Sequence, residues 1–441
     1  MMHETVIDTI YIKNAINDSK FNSLHLAVFV LCLLSMIGEG YNIFLYGSVL
    51  PVLVAEWSLS SVQAGLIGSY GLIGMMIGSA AFGWMADKVG RKVIIMVCVA
   101  LYSIFTALGG FAPDAVLFSV FRFMAGLGFG GVIPNVVALA TDYTPKRLQY
   151  TLVPFVPSGM QIGGMFGPIV SLATIDRYSW RAVLWIGGIF ILLIPIMAKF
   201  MPDSAEFLVR KKKVPQIKKV LKSMDKELNY DDMHLSDESN TGKKSSIKSL
   251  FVRGRALNSI MFCCTYFMSL LILFVLGTWL PALMIRMGYE FNASLIFPII
   301  LNVGCIIGIF IFTRIADKLI PVKKLLIILF IIAACSMTLL GFKYATIILY
   351  ILVFITGACT YGTQNLTSAF VSQYYPAHMR STGLGVCMGA GRVGAFFGTT
   401  LWGIILQMNL PPYMNFMMFA IPALIAAGSL FIVKERREVY E

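Results

Sequence analysis

Ala86-Asp87-Lys88, followed by Arg91-Lys92, returns 230 residues later as Ala316-Asp317-Lys318, followed by Lys323-Lys324. Each copy is a short charged loop between two long apolar runs, and the sequence around it keeps step. Asn135 falls on Asn365, Pro145 on Pro376, Gly163 on Gly394, Gly167 on Gly398 and Gln161 on Arg392, at offsets of 230–231 residues. A period this long means duplicated bundles rather than a solenoid. Duplicated six-span halves are the architecture of transporters that rock around a central site at the bilayer midplane.

The apolar runs support that reading. The chain of 441 residues is 58% hydrophobic and 13% charged, with a mean hydropathy of +0.80. That is far more apolar than a soluble globular protein. Crossing the hydrocarbon takes about 20 residues at 1.5 Å rise each. Twelve stretches have that length: 26–54, 61–86, 92–112, 116–141, 150–174, 181–201, 256–283, 291–316, 323–341, 344–372, 381–407 and 413–433. The expected fold is an all-α membrane protein of twelve transmembrane helices in two pseudo-symmetric six-helix bundles, 1–201 and 256–441. A polar segment, 202–255, joins them. It carries Arg210-Lys211-Lys212-Lys213, Asp231-Asp232, Asp237-Glu238 and Lys243-Lys244. It reads as a solvated cytoplasmic linker with an amphipathic helix near 215–228.

The net charge of +13 raises the question of nucleic acid, and its placement answers it. With both termini cytoplasmic, 29 of the 35 Lys and Arg fall in inner loops or tails. Four lie outside (Arg177, Arg181, Arg286, Lys343), and Arg122 and Arg392 lie within spans. This asymmetry is the positive-inside rule, so the basicity is topological and nucleic acid is not the expected partner. The eight cysteines all lie in predicted spans, without CxxC spacing, which points to neither a disulfide framework nor a zinc site. Residues 1–23 lack the charged-then-apolar pattern of a cleaved signal. No cofactor is expected. The chain has no acid/base pair, nucleophile constellation or metal cluster of an enzyme.

Three charges stand out. Glu39 is the only carboxylate deep in a span, and Arg122 and Arg392 are the only comparable cations. Each costs about 2.5–3.5 kcal/mol to place in the bilayer, so such residues rarely sit there without a role. The four histidines lie in tails, loops or span ends, which leaves Glu39 as the leading proton carrier. Arg122 and Arg392 suit an anion, since guanidinium pairs bidentately with carboxylates. Arg392 lies near the middle of span 11, where substrate contact is favoured, and its counterpart is Gln161. For Arg122 a structural link to span 1 stands beside substrate contact. Asn135, Gln364 and Asn365 offer neutral hydrogen bonds on the equivalent spans 4 and 10. Tyr41, Tyr46, Phe129, Tyr266, Trp279 and Tyr361 are candidates to line a cavity around a flat ring. Lipid contact is the ordinary alternative for each.

Gly126-Leu127-Gly128-Phe129-Gly130-Gly131 satisfies GxGxxG. No strand precedes it and it lies in an apolar span, so close helix packing explains it better than a dinucleotide. Gly83-Trp84-Met85-Ala86-Asp87-Lys88-Val89-Gly90-Arg91-Lys92 reads as a tight turn. It would set Asp87 against a neighbouring helix terminus, with Arg91 reaching carboxylates such as Asp142. Contacts of that kind latch one conformation and break in another. Arg314 and Asp317 form the weaker second copy.

This loop resembles the signature of the major facilitator superfamily, and Arg122-x-x-x-Gly126-x-Gly128 resembles its fourth-helix motif. Gly38-Glu39-Gly40-Tyr41-Asn42 narrows the resemblance to the aromatic acid:proton symporters, whose first helix carries Asp-Gly-Tyr/Phe-Asp. Arg122-Phe123, Pro134-Asn135, Thr278-Trp279-Leu280-Pro281 and Gly391-Arg392-Val393-Gly394 accompany it. The resemblance implies a multi-pass cell-membrane protein, working as a monomer, that imports a small aromatic carboxylate with a proton. It implies site roles for Glu39, Tyr41, Asn42, Arg122, Asn135, Gln161, Trp279, Gln364, Asn365 and Arg392. The chain departs from the family at the two acids, which stand here as Glu39 and Asn42. A drug:proton antiporter is the nearest rival, on Gly159-x3-Gly163-x3-Gly167-Pro168. A sugar or polyol carrier follows, on Trp180-Arg181 and Pro202-x-Ser204.

Overall fold

The computed structural model describes residues 5–7, 9–224, 233–235, 250–252, 255–376, 379–408 and 410–434. Eleven helices among them are long and apolar enough to cross a membrane. They coincide with predicted spans 1–4 and 6–12. In chain order these are Ser23–Glu56, Ser61–Val89, Arg91–Gly109, Ala115–Asp142 and Trp180–Phe200, then Ala256–Arg286, Phe291–Lys318, Val322–Leu339, Thr346–Tyr374, Thr382–Gln407 and Pro412–Ile432. Span 5 is helical too, as Lys146–Phe155, a 3₁₀ turn at Val156–Ser158, and Gly159–Tyr178. Its lower hydropathy has a packing cause. Gly159, Gly163, Gly164, Gly167 and Gln161 are buried against other helices rather than lipid, so they need not be apolar.

Local sequence explains where spans begin. Asn22 Oδ1 accepts from the backbone N–H groups of Leu24 and His25 at 2.9 and 3.2 Å, and His25 Nδ1 accepts from Asn22 N–H at 3.0 Å. Ser60 and Gln63 form the same reciprocal cap on span 2. Each cap satisfies donors that a helix start leaves unpaired.

The packing repeats itself on adding six to each span number. Span 1 lies on 5 as 7 lies on 11; 2 on 4 as 8 on 10; 3 on 4 as 9 on 10; and 3 on 6 as 9 on 12. Between the halves, 11 lies on 2 as 5 lies on 8, and 1 meets 7. Glycines carry the repeat down to single atoms. A Cβ on Gly163 would strike the Ile37 carbonyl, and one on the equivalent Gly394 would strike the Phe267 carbonyl. The GxGxxG run has the same use: Gly126 and Gly130 admit the backbone of span 2, and Gly128 admits that of span 3.

The halves meet unevenly along their length. Far from the termini, Ser69 Oγ bonds Thr399 Oγ1 (2.5 Å) and Thr400 Oγ1 (2.7 Å) across the halves, and Trp279, which faces Gly65 of span 2, donates to the Thr399 carbonyl within its own half (3.2 Å). Arg286 donates across to Ser61 Oγ (3.2 Å) and within its own half to the Leu406 carbonyl (2.8 Å), and Asn292 donates across to Asp176 (3.0 Å). Toward the termini the same faces part. Gly385, Gly389, Arg392, Phe396, Thr399 and Gly403 share one face of span 11 by their three- and four-residue spacing. A Cβ at Gly403 would meet Ser61, whereas one at Gly385 or Gly389 meets nothing within 4 Å. On span 2, Gly83 lies five turns from Gly65 on the same face and also meets nothing within 4 Å. The seam is closed at the far end and open toward the termini.

The beginning of the linker is not simply solvated. Ala205–Arg210 and Val214–Met224 are helices. Ile217, Val220 and Leu221, one apolar stripe at helical spacing, are buried in the same cluster as Leu208, Ile12 and Ile16 of the helix Thr9–Asp18. Burying that stripe is worth more than hydrating it, at about 1.5–3 kcal/mol per large aliphatic side chain. Asn22 Nδ2 ties the assembly down by donating to the Ser223 carbonyl at 2.7 Å. Thr5–Ile7 pairs in parallel with Met233–Leu235, Val6 opposite His234. Asp231-Asp232, Asp237-Glu238 and Lys243-Lys244 lie outside the described residues.

Candidate functional site

Glu39 is fully buried, and neither of its carboxylate oxygens has a hydrogen-bond partner among the described residues. It interacts electrostatically with Cys98 and Tyr102 of span 3, and with Arg392 across the seam. Tyr102 donates to the Ser35 carbonyl at 3.3 Å, one turn before Glu39, and stacks on Phe129 with ring centroids 5.9 Å apart. The carboxylate thus sits in an aromatic surround on span 1, with one cation in range from the other half.

Arg392 is half-buried. It stands one turn below Phe396, whose carbonyl accepts from Ser69 Oγ at 3.2 Å, and one turn above Gly389, where the seam is open. No hydrogen bond or ion pair holds its guanidinium among the described residues. Arg122 is placed quite differently. It is buried, donates to the Asn42 carbonyl at 2.9 Å and the Ile43 carbonyl at 3.5 Å, and lies 5.2 Å from the Tyr46 ring centroid. Its charge is engaged in joining span 4 to span 1.

The remaining sequence candidates divide between packing and the seam. Tyr41 donates to the Val183 carbonyl at 2.7 Å, and Asn42 Nδ2 to the carbonyls of Gly38 (2.8 Å) and Gly187 (3.3 Å), so both face span 6. Asn135 donates to the Gly131 carbonyl one turn back, at 2.8 Å. Gln161, with its amide nitrogen turned to the 3₁₀ turn, donates to Ser158 and Pro157 carbonyls at 3.3 and 3.2 Å. Trp279 closes the far end of the seam. Tyr46 donates to the Ala64 carbonyl (2.6 Å) and Tyr266 to Ser368 Oγ (2.8 Å). In this arrangement the bonds they make lie within the bundle rather than toward a ring, and Asn42 Oδ1 is buried without a hydrogen-bond partner among the described residues. Gln364 and Asn365 are half-buried; Gln364 Oε1 accepts from Ser269 Oγ at 3.0 Å. Across the seam, Phe44 of span 1 stacks on Phe274 of span 7 with centroids 6.1 Å apart.

The charged loop contains a correction. Arg91 and Asp142 form the expected ion pair at 2.6 Å, joining spans 3 and 4 within one half. Asp87 is exposed, and the carboxylate at a helix terminus belongs instead to Asp203. Asp203 Oδ1 accepts from Ser204 N–H at 3.0 Å and Lys92 N–H at 3.4 Å, at the first turn of span 3. Burial pushes its carboxyl above the usual carboxylate range, against the pull of those N–H groups and of Lys213. Tyr143 donates to its carbonyl at 2.6 Å. Asp87 misses that place because it lies before the turn at Gly90, on the face that parts from the other half. Sequence reading passed over Asp203 because it opens the linker, where an acid ordinarily marks solvent. Arg314 and Asp317 are likewise exposed. Lys323 repeats a contact of the first copy: it donates to the Val433 carbonyl at 2.7 Å as Lys92 donates to that of Ala198 at 2.7 Å.

Gly90 is the hinge of this turn, at φ 107°, and a Cβ there would run into the Asp203 carboxylate. Gly90→Ala is expected to cost about 1–3 kcal/mol from backbone strain alone, read as a lowered Tm in detergent. An unchanged Tm would show that the turn relaxes freely.

No group of three or more His, Cys, Asp or Glu side chains is arranged to hold a metal among the described residues.

The family model described as Major Facilitator Superfamily matches residues 32–399 and 303–440. The chain is 39% identical to a benzoate transport protein of Acinetobacter baylyi, over 97% of this chain and 93% of that one. It is 34% identical to a gentisate transporter of Corynebacterium glutamicum, over 92% and 86%. It is 28% identical to a 4-hydroxybenzoate transporter of Pseudomonas putida, over 89% and 90%. Among solved structures, the xylose transporter XylE from E. coli, in a partially occluded inward-open conformation, superposes with a TM-score of 0.73 at 17% identity. That match covers 94% of this chain and 99% of the other.

Proposed function

We propose that this chain, which belongs to the major facilitator superfamily, imports a small aromatic carboxylate of the benzoate, hydroxybenzoate or nicotinate kind across the cell membrane together with a proton. It is a membrane transporter. The observation that carries the substrate is Arg392: a half-buried guanidinium at the central seam, within electrostatic reach of Glu39 but held by no hydrogen bond or ion pair among the described residues. Once Glu39 is protonated, this cation in low dielectric calls for another anion, and a planar fork fits a carboxylate. The names of the relatives, benzoate, gentisate and 4-hydroxybenzoate transporters, agree with an aromatic ring on that carboxylate.

The proton is assigned to Glu39. An ionised carboxylate buried without a hydrogen bond costs several kcal/mol, and uptake of a proton removes that cost. In the cycle, Glu39 takes a proton from outside, the substrate carboxylate neutralises Arg392, and the halves rock. With both termini cytoplasmic, the open end of the seam faces the cytoplasm, and the bonds of Ser69 to Thr399 and Thr400, of Arg286 to Ser61 and of Asn292 to Asp176 hold the outer end shut. Arg122 serves as the strut that keeps span 1, and so Glu39, in register with span 4. One chain carries both halves and is the working unit.

The test is uptake by purified protein in proteoliposomes, over a panel of benzoate, hydroxybenzoates, gentisate, nicotinate and phenylpropionate. One or more of these should enter faster under an inward proton gradient. Transport of a sugar or a cationic drug, with none of the acids moving, would replace this reading with one of its rivals.

A further inference from the structure

A cavity of about 430 Å³ lies at the end of the molecule that carries the termini. It is bounded by the first turn of span 3, the last turn of span 6 and the linker helix Val214–Met224. Four lysines line it: Lys92, Lys199, Lys213 and Lys219. They come from three separate elements, and Lys92 is close enough to Lys213 and Lys219 to feel both charges. One carboxylate, Asp203, shares the cavity and attracts Lys92 and Lys213, but its hydrogen bonds are to the backbone N–H groups of Lys92 and Ser204, and Lys92 Nζ donates to the Ala198 carbonyl. No ion pair joins the four lysines to any carboxylate among the described residues.

Ammonium groups gathered around one cavity repel each other, and the fold assembles them here with a single, already engaged acid. We propose that the cavity binds a phosphoryl anion, presented by an anionic phospholipid of the cytoplasmic leaflet. Several compact, mobile ammoniums can each approach one of the two non-bridging oxygens of a phospholipid's phosphodiester as point charges. The lipid source follows from what lies below the lysines. Phe200 lines the cavity and is 52% exposed, and Ile196 and Leu192 continue from it down the outer face of span 6, 45% and 61% exposed. A headgroup among the lysines would lay its acyl chains along this apolar track. Basic pockets between membrane helices on the cytoplasmic side suit such headgroups. Bound there, the lipid clamps the linker helix to spans 3 and 6. The proposal needs the cytoplasmic placement of this end but not the substrate, so it survives if the aromatic acids fail.

The test uses full-length protein in bilayer discs of equal phosphatidylcholine and phosphatidylglycerol, extracted gently, with co-purified lipid measured by mass spectrometry. The unaltered protein should retain phosphatidylglycerol over phosphatidylcholine. Each lysine near an anionic surface contributes about a factor of five, so Lys213→Gln with Lys219→Gln should weaken retention roughly thirtyfold. Lys213→Arg with Lys219→Arg should preserve it, which separates charge from folding. Lys211→Gln with Lys222→Gln removes two charges from the same segment outside the cavity and should leave retention unchanged. Equal loss in both Gln pairs, or no loss in the first, would overturn the site. Inorganic phosphate, titrated into lipid-free protein by calorimetry, distinguishes the source. Tight binding that depends on Lys213 and Lys219, with no phosphatidylglycerol retained, would overturn the lipid assignment in favour of a soluble phosphate.

Discussion

Glu39→Gln should leave substrate at equal concentration on the two sides of a proteoliposome under a proton gradient that drives the unaltered protein to accumulate it. The size of the effect follows from the gradient. One pH unit is worth about 1.4 kcal/mol per proton, so a carrier moving one proton with each substrate, with the outside one unit more acidic, holds about a tenfold excess inside. Gln keeps the length and shape of the side chain but binds no proton. It therefore relieves the cost of a buried charge and keeps the volume that the side chain fills. Exchange of labelled for unlabelled substrate should continue in this variant, because exchange needs no net proton movement. Accumulation that persists in full would remove Glu39 from the coupling, and attention would turn to the histidines at the span ends. The place where this family carries a second acid is Asn42, whose amide donates to Gly38 and Gly187 carbonyls within the bundle. Its amide binds no proton, so Glu39 carries the prediction alone.

Arg392→Lys comes second. Replacing the planar fork by a point charge forfeits at least one of two charge-assisted hydrogen bonds, each worth about 1.5–3 kcal/mol. Apparent substrate affinity should fall by roughly tenfold or more. The measurement that gives this meaning is stability alongside binding. Arg392 makes no hydrogen bond or ion pair among the described residues, so its loss should leave Tm nearly unchanged. Arg122→Lys should do the opposite, lowering Tm through the bonds to the Asn42 and Ile43 carbonyls. Unchanged affinity in Arg392→Lys would exclude direct recognition of the carboxylate.

The two arginines show where reading the sequence reached its limit. Both are single cations in apolar spans, and nothing in their neighbouring residues says which one is already bonded. That depends on register between helices: span 4 sets Arg122 beside two carbonyls of span 1, whereas span 11 sets Arg392 on the seam, just where it opens. Gln161, the counterpart of Arg392 by sequence offset, shows the same dependence, since the turn at Val156–Ser158 takes up its amide. The aromatic candidates fared likewise. Tyr41, Tyr46 and Trp279 suit a flat substrate by residue type, but each has its polar atom on a neighbouring backbone carbonyl.

By itself, the sequence determined the spans, the duplicated halves and the short list of charges, because hydrocarbon thickness and the cost of a buried charge act on each segment separately. The repeated Ala-Asp-Lys loops were enough to align one half on the other. Tertiary structure alone decided which end of the seam is closed, which arginine is engaged, and that Asp203 rather than Asp87 meets the start of span 3. Those outcomes rest on contacts between residues far apart in the chain. Their energies exist only once the helices are packed.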